Sequence, residues 1–287
     1  MSGLSFHLRV AAAAAGVAWL SGAALPRPRA AGPASLRLYV LDGGTLKERD
    51  GVPYGLTRDQ LAPRDLSDLC ALVVHPQGVL LWDTGLNESV NRLPADAPSA
   101  PGRPRPGDRV ARTLTSQLAE IGYRPSDITY LALSHSHWDH TGNVADFLGA
   151  TWLAQKAERD LMFGERPLAN QADFDGLRTS RTRIVEGDYD VFGDGTVTLI
   201  ATPGHTPGHQ ALLVKLSKAG AVILSGDLYH FPEELTLHPT PRGPNAAQIA
   251  ASMAKVQQLL QQTKGQLWIQ HDILGWAALK KAPAYYE

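Results

Sequence analysis

Between Ser134 and Asn143 the chain reads SHSHWDHTGN, and His135, His137, Asp139 and His140 spell HxHxDH directly behind the apolar run ITYLALS. Imidazole and carboxylate are the donors that zinc accepts, and iron, manganese or cobalt as well, when no thiolate is offered. In a loop leaving a strand, alternate residues such as His135 and His137 can point the same way, while Asp139 and His140 turn toward a neighbouring position. One short segment therefore has donors for two adjacent ions. A lone HxH is weak evidence for a metal, but four donors behind a buried strand are strong.

Further donors stand in the same relation to apolar strands: His205 after TLIATPG, Asp227 after VILSG and His271 after QLWIQ. A fold that gathers its strand ends along one edge brings all seven together. Separate satisfaction of each polar residue is a cheap explanation for one position and an improbable one for seven. Two divalent cations held there would lower the pKa of a shared water from ~16 toward ~7 and allow attack on an ester carbonyl at neutral pH. The other histidines have plainer readings. His209 is expected to orient a ligand rather than be one, His75 and His238 to be surface or loop residues, and His7 to lie in the N-terminal leader.

The elements that must position these donors follow from pattern. LRLYVL, LCALVVH and VLLWDTG read as strands, the last two joined through PQG as a hairpin. The polar segments between Leu41 and Cys70 and between Leu86 and Asp108 read as long loops, functional lids or disordered. Tyr54, Leu56 and Trp82 are candidates for an acyl-chain groove, with core packing the better reading for Trp82. Trp138, facing away from the ligands by alternation, is either core or pocket wall. Val110, Leu114, Leu118 and Ile121 mark one face of a helix running from an Asp108 cap to Gly122. ITYLALSH is apolar on both faces and so central. TWLA, VTLIATPG, ALLVKLS, AVILSGD and QLWIQHD are further strands, with helices near Gln155 to Met162 and along Ile249, Met253, Val256 and Leu260. Strands in two batches, each followed by helices, suggest two sheets packed face to face with helices outside.

Composition narrows the partners. The chain has 287 residues, 44% hydrophobic and 19% charged, with a formal charge of -1 and no basic block, so nucleic acid is not an expected partner. A single cysteine, Cys70, excludes an intramolecular disulfide and a thiolate zinc cluster, and within LCALVV it reads as a small buried hydrophobe. At the N-terminus, VAAAAAGVAWLSGAAL is apolar, short for a membrane span and followed by PRPRAAGP. Residues 1–30 are thus expected to be a signal peptide and flexible segment, with cleavage near Ser21 and Ala23, or ending at Ala24 or Ala30. The mature protein is expected to be periplasmic or secreted, without stable membrane association.

HSHWDH, TPGHTPGH, LSGD and a late histidine resemble the ordered motifs of the metallo-β-lactamase superfamily over most of the chain from Leu36 onward. The resemblance implies an α/β fold for residues 31–287, an αββα sandwich of two mixed sheets flanked by helices. It implies two Zn2+ ions, one on His135, His137 and His205, the other on Asp139, His140 and His271, with Asp227 bridging them. True β-lactamases of that superfamily usually carry Cys or Ser where this chain has Asp227, which favours a different hydrolase. Flavodiiron relatives need a flavin domain and a glutamate in the first motif, and single-iron persulfide dioxygenases usually use fewer of these ligands.

The nearest likeness is to exported N-acyl homoserine lactone lactonases, the quorum-quenching hydrolases. It is carried by RLYVLDGGTL, VVHPQGVLLWDTGL, HSHWDHTGN, ATPGHTPGHQALLV and the short interval from LSGD to His271. By that likeness Asp227 and Asp139 belong to the catalytic set. A tyrosine shortly after the bridging aspartate would hydrogen-bond the lactone carbonyl. GDLYHF offers Tyr229 and His230 side by side, with Tyr229 preferred. Alternatives are a superfamily hydrolase of thioesters, phosphotriesters or β-lactams, and a metal-binding protein without catalysis. Pattern alone does not decide between a monomer and a homodimer.

Overall fold

Alternation along two long neighbouring strands sets the layering. In the computed structural model, which describes residues 35–100 and 102–287 together with Met1, β1 (Arg37–Arg49) pairs antiparallel with β2 (Arg64–His75). Along β2, Leu69, Ala71 and Val73 enter one apolar cluster while Cys70, Leu72 and Val74 enter another. A period of two with both sets apolar means that the sheet is covered on both faces. The expected hairpin through PQG is present, with His75 opposite Gly78 at the start of β3 (Gly78–Trp82). β4 (Tyr130–Ala132), β5 (Thr151–Gln155) and β6 (Thr182–Val185) then add in parallel, giving a six-stranded sheet ordered β1-β2-β3-β4-β5-β6.

The second sheet has five strands. β7 (Tyr189–Asp190), β8 (Val197–Ala201), β9 (Gln210–Leu216) and β10 (Gly220–Leu224) run antiparallel, and β11 (Gln266–Trp268) joins β10 in parallel. The helices are α1 (Leu114–Glu120), α2 (Trp138–Thr141), α3 (Lys156–Met162), α4 (Gln171–Phe174), α5 (Glu233–Leu237), α6 (Ala246–Thr263) and α7 (Ile273–Ala278). Leu38, Val40, Leu80 and Trp82 from the first sheet share a core with Val197, Leu212, Val214 and Val222 from the second. Each such side chain removed from water contributes about 1.5–3 kcal/mol. Leu114, Leu118, Met162 and Phe174 cover the outer face of the first sheet, and Met253 and Val256 of α6 that of the second. Helices outside two face-to-face sheets are the expected αββα sandwich.

Three expectations are corrected. β1 does not stop at Leu41 but continues through DGGTLKER, because a bulge between Asp42 and Thr45, with Gly44 at φ +135°, absorbs the glycines without ending the ladder. Asp108 does not cap α1. Thr113 does, its Oγ1 accepting the Ser116 N–H at 3.1 Å, while Asp108 accepts the Lys47 N–H at 2.8 Å and pairs with Arg49 at 2.7 Å. His75 is buried rather than exposed, its Nε2 2.8 Å from Asp194 Oδ2 and its ring stacked on Phe192.

The two long loops have a core of their own. Leu56 and Leu61 pack with Leu46, Leu86, Val90, Trp138 and Phe231 beside the end of β4. Trp82 and Leu56 are therefore core residues and not groove walls. Among the described residues no helix is long and apolar enough to cross a membrane. Of the expected signal segment, residues 1–30, all but Met1 lie outside the described residues, His7 among them.

Candidate metal centre

β4, β8, β10 and β11 end at one edge of the sandwich, and their trailing segments carry the donors. His135, His137, His205 and Asp227 present ligand atoms within 4.8 Å of one another, as do Asp139, His140 and His271. Asp227 joins the two groups. Its Oδ1 lies 3.0 Å from both His140 Nε2 and His271 Nε2, while Oδ2 lies 3.6 Å from His135 Nε2 and 3.3 Å from His205 Nε2. One carboxylate thus turns one oxygen to each set. Asp139 stands at the far side of the second set, 3.8 Å from His140 Nε2 and 3.9 Å from His271 Nε2.

These donors fit divalent cations. His135 Nε2, His140 Nε2 and Asp227 Oδ1 are buried and make no hydrogen bond among the described residues, although two of them are 3.0 Å apart. Lone pairs aimed at a common point, at angles unsuited to sharing a proton, are what ligands of a shared ion require. Burial pushes His135 well below the usual imidazole value and His137 down to about 4, leaving both rings neutral with a lone pair free. Burial also opposes charge on His140 and His271, but Asp227 outweighs it, holding His140 well above the usual value and raising His271 to about 9. Divalent cations held there would take the place of protons on His140 and His271 in balancing the two buried carboxylates.

The rings are held by their other nitrogens. His271 Nδ1–H donates to the Ser67 carbonyl at 2.8 Å, and His140 Nδ1 lies 3.0 Å from Asp83 Oδ2, which leaves each Nε2 to face the centre. Ser134 Oγ sits 3.0 Å from both His135 Nδ1 and His140 Nδ1. Behind them Gln270 Nε2 donates to Asp83 at 3.0 Å and to Asp68 at 3.3 Å, and burial raises Asp68 to about 8. Glu158 ties the first motif to the TPGHTPGH turn, accepting the Ser136 N–H at 2.7 Å, the Thr206 hydroxyl at 2.7 Å and the Gly208 N–H at 2.9 Å. Asp83, Asp68, Gln270 and Glu158 are absent from the residues singled out by sequence. Asp83 alone had a visible signal there, an acidic residue ending the apolar strand VLLW.

His209 has the orienting role expected of it. Its Nδ1–H donates to the Thr202 carbonyl at 3.1 Å and its Nε2 accepts the Asp227 N–H at 3.0 Å, so neither nitrogen is free for a metal. Gly226 makes this contact possible. Its φ is +52°, and a Cβ there would come within 2.8 Å of His209 Nε2 and of Ser134 Cβ.

The preference for Tyr229 is corrected by the geometry. After the turn at Gly226–Leu228 the backbone is extended at Tyr229 (φ -136°, ψ 138°), so Tyr229 and His230 face opposite ways. Tyr229 packs in the cluster beneath α6 with Ile223, Val256 and Ile269. His230 enters the site, its Nε2 3.1 Å from Asp227 Oδ2. Glu234 Oε2 accepts the backbone N–H groups of His230 and Phe231 at 2.6 and 2.8 Å, fixing that segment. Tyr54 stacks on the His230 ring, centroids 3.6 Å apart, and burial raises its hydroxyl far above the usual phenol value, so it stays protonated. His238, by contrast, lies exposed in the following loop.

Residues 64–264, which contain six of the seven candidate ligands and both sheets apart from β1 and β11, match the Metallo-beta-lactamase superfamily. The chain belongs to that superfamily. Among its relatives in the superfamily is the N-acyl homoserine lactonase AttM of Rhizobium radiobacter, 34% identical over 270 residues that cover 88% of this chain and 98% of the relative. The N-acyl homoserine lactonase AttM of Azorhizobium caulinodans is 30% identical over 271 residues, covering 88% and 99%. A solved superfamily structure, an N-acyl homoserine lactone hydrolase with the product N-hexanoyl-L-homoserine bound at its catalytic metal centre, superposes with a TM-score of 0.73 at 25% identity, covering 88% of this chain and 99% of that one.

Proposed function

We propose that this superfamily member opens the lactone ring of N-acyl homoserine lactones with two zinc ions at the centre described above. The observation that carries the reading is Asp227, one carboxylate oxygen facing each ligand set. Similarity to N-acyl homoserine lactonases over 88% of the chain supports the choice of substrate. His135, His137 and His205 would hold one ion, Asp139, His140 and His271 the other, and Asp227 both. Bound there, the ions supply Lewis acidity and acidify water toward neutral pH.

The protein's own groups do the rest. A lactone carbonyl seated beside Asp227 Oδ2 comes within reach of His230 Nε2, which donates a hydrogen bond to the oxygen as charge develops on it. Glu234 and Tyr54 hold that imidazole in place, one through the backbone and one by stacking. Water adds to the carbonyl carbon, the ring C–O bond breaks, and Asp227 passes the proton given up by that water to the released alkoxide oxygen, so the ring opens to a hydroxy acid.

Purified protein is expected to bind about two ions per chain by elemental analysis, the stoichiometry of a two-metal site. It should turn over homoserine lactones faster than a β-lactam, a thioester or a phosphotriester. Absence of bound metal after reconstitution would remove the centre. Faster β-lactam turnover would leave the centre standing and overturn the substrate. We further propose export to the periplasm or medium, on the signal-like composition of residues 1–30. Cell fractionation should find a shortened chain outside the cytoplasm, and a full-length chain confined to the cytoplasm would contradict it.

A further inference from the structure

His137 and His205 are held differently from the other histidines of the centre. The rings of His135, His140 and His271 are fixed through Nδ1 by Ser134, Asp83 and the Ser67 carbonyl. His137 and His205 are partly exposed, and His137 Nδ1 and His205 Nε2 face each other at 3.0 Å. Among the described residues their remaining nitrogens, His137 Nε2 and His205 Nδ1, make no hydrogen bond. An imidazole ligand is usually aimed by a partner on its other nitrogen. These two rings have none there, so their aim comes from the backbone that carries them.

One side chain fixes both stretches of that backbone. Glu158, buried on α3, accepts the Ser136 N–H with Oε1 at 2.7 Å, between His135 and His137. Its Oε2 accepts the Thr206 hydroxyl at 2.7 Å and the Gly208 N–H at 2.9 Å, just after His205. A Cβ on Gly208 would come within 2.5 Å of Glu158 Cβ, so the turn closes on the helix only with glycine there. The set of Asp139, His140 and His271 has other supports, Asp83 and Gln270 on His140 and the Ser67 carbonyl on His271. Ser134 Oγ, 3.0 Å from Nδ1 of both His135 and His140, is shared. We propose that Glu158 is a positioning residue for one ion alone, the one on His135, His137 and His205, so that its loss empties that site and leaves the other filled. The proposal rests on the two-metal reading above and not on the choice of a lactone as substrate. Glu158→Gln would keep the shape and lose the function, because the amide has one acceptor oxygen and one NH2 donor. Either the Ser136 N–H or the Thr206 and Gly208 pair then faces a donor.

The test is competition of zinc against a chromophoric chelator on the full chain, which reads a dissociation constant for each ion, with circular dichroism to check folding. Glu158→Gln should raise one constant by about 10–100-fold, the usual cost of losing an outer partner, and leave the other within about twofold. Ligand variants show which ion is affected. His271→Ala confines zinc to the set of His135, His137 and His205, and adding Glu158→Gln there should reproduce the loss. His205→Ala confines it to the other set, and adding Glu158→Gln there should change little. A merely structural role would loosen both alike. Equal weakening of the two ions, or a loss that appears with His205→Ala and not with His271→Ala, would overturn the assignment. If Glu158→Gln does not fold, Thr206→Val removes one of the three donors and should weaken the same ion, and no change in either constant would overturn the assignment equally. Selective loss of one zinc in Glu158→Gln, with no lactone hydrolysed by the unaltered protein, would sustain the proposal and overturn the lactonase reading. No zinc bound by the unaltered protein would overturn both.

Discussion

Replacing Asp227 by Ala is expected to strip at least one of the two ions and nearly all turnover. Its Oδ1 lies 3.0 Å from the nearest donors of one set and its Oδ2 3.3 Å from the nearest of the other, so under the proposed arrangement the substitution would remove a bond from each ion. It also removes the negative charge that lets two cations sit close together in a buried place. The control is His209→Ala. That change takes away the acceptor of the Asp227 N–H and no ligand, and loss of such an outer partner costs ~10–100-fold in affinity or activity. Under metal-replete conditions His209→Ala should keep both ions and measurable activity. Metal content and lactone hydrolysis measured side by side decide it. Two ions and near-normal rates in Asp227→Ala, with an ion lost in His209→Ala, would mean that the bridging and orienting roles belong to other residues.

The second large effect is expected at His230. An imidazole 3.1 Å from Asp227 Oδ2 is placed to donate to the substrate carbonyl, and removing one such donor typically lowers kcat by ~10²–10³. His230→Ala should show a loss of that size with metal content retained, and His230→Gln, which keeps an N–H donor, should recover part of it. Tyr229→Phe should stay near the unaltered rate, because the ring lies beneath α6 and away from the metals. A large loss in Tyr229→Phe with little change in His230→Ala would restore the tyrosine to the role that sequence assigned it.

The contrast between these two neighbours shows what was readable beforehand. The seven candidate ligands could be singled out because they follow the ends of four apolar strands, and a sandwich gathers strand ends at one edge. Pattern predicts the end of a strand well. It does not predict how a turn re-aims the residues beyond, and Gly226 at φ +52° rotates the chain so that the third residue after Asp227, not the second, faces the site. The supporting residues Asp68, Gln270 and Glu158 were hidden for a different reason. A buried carboxylate looks in sequence like any surface one, and its burial follows from contacts across long separations, 202 residues between Gln270 and Asp68. The loop core around Leu56, Leu61 and Trp138 was missed because its apolar residues are scattered and follow neither a period of two nor of 3.6.

The hydrogen bond from His271 to the Ser67 carbonyl spans 204 residues and links the two sheets. Closing so long a loop has an entropic cost that only completed docking of the sheets offsets. Ligand geometry is therefore a product of the last stage of assembly, and an unfolded or half-assembled chain offers a cation only scattered histidines. A cation that prefers the finished state deepens that state by mass action, about 2.7 kcal/mol at a hundredfold excess over its dissociation constant. Metal supply then acts on the lifetime of the protein as well as on its chemistry. In a metal-poor compartment the chain would spend more time partly open and exposed to proteases, and its abundance would fall together with its activity.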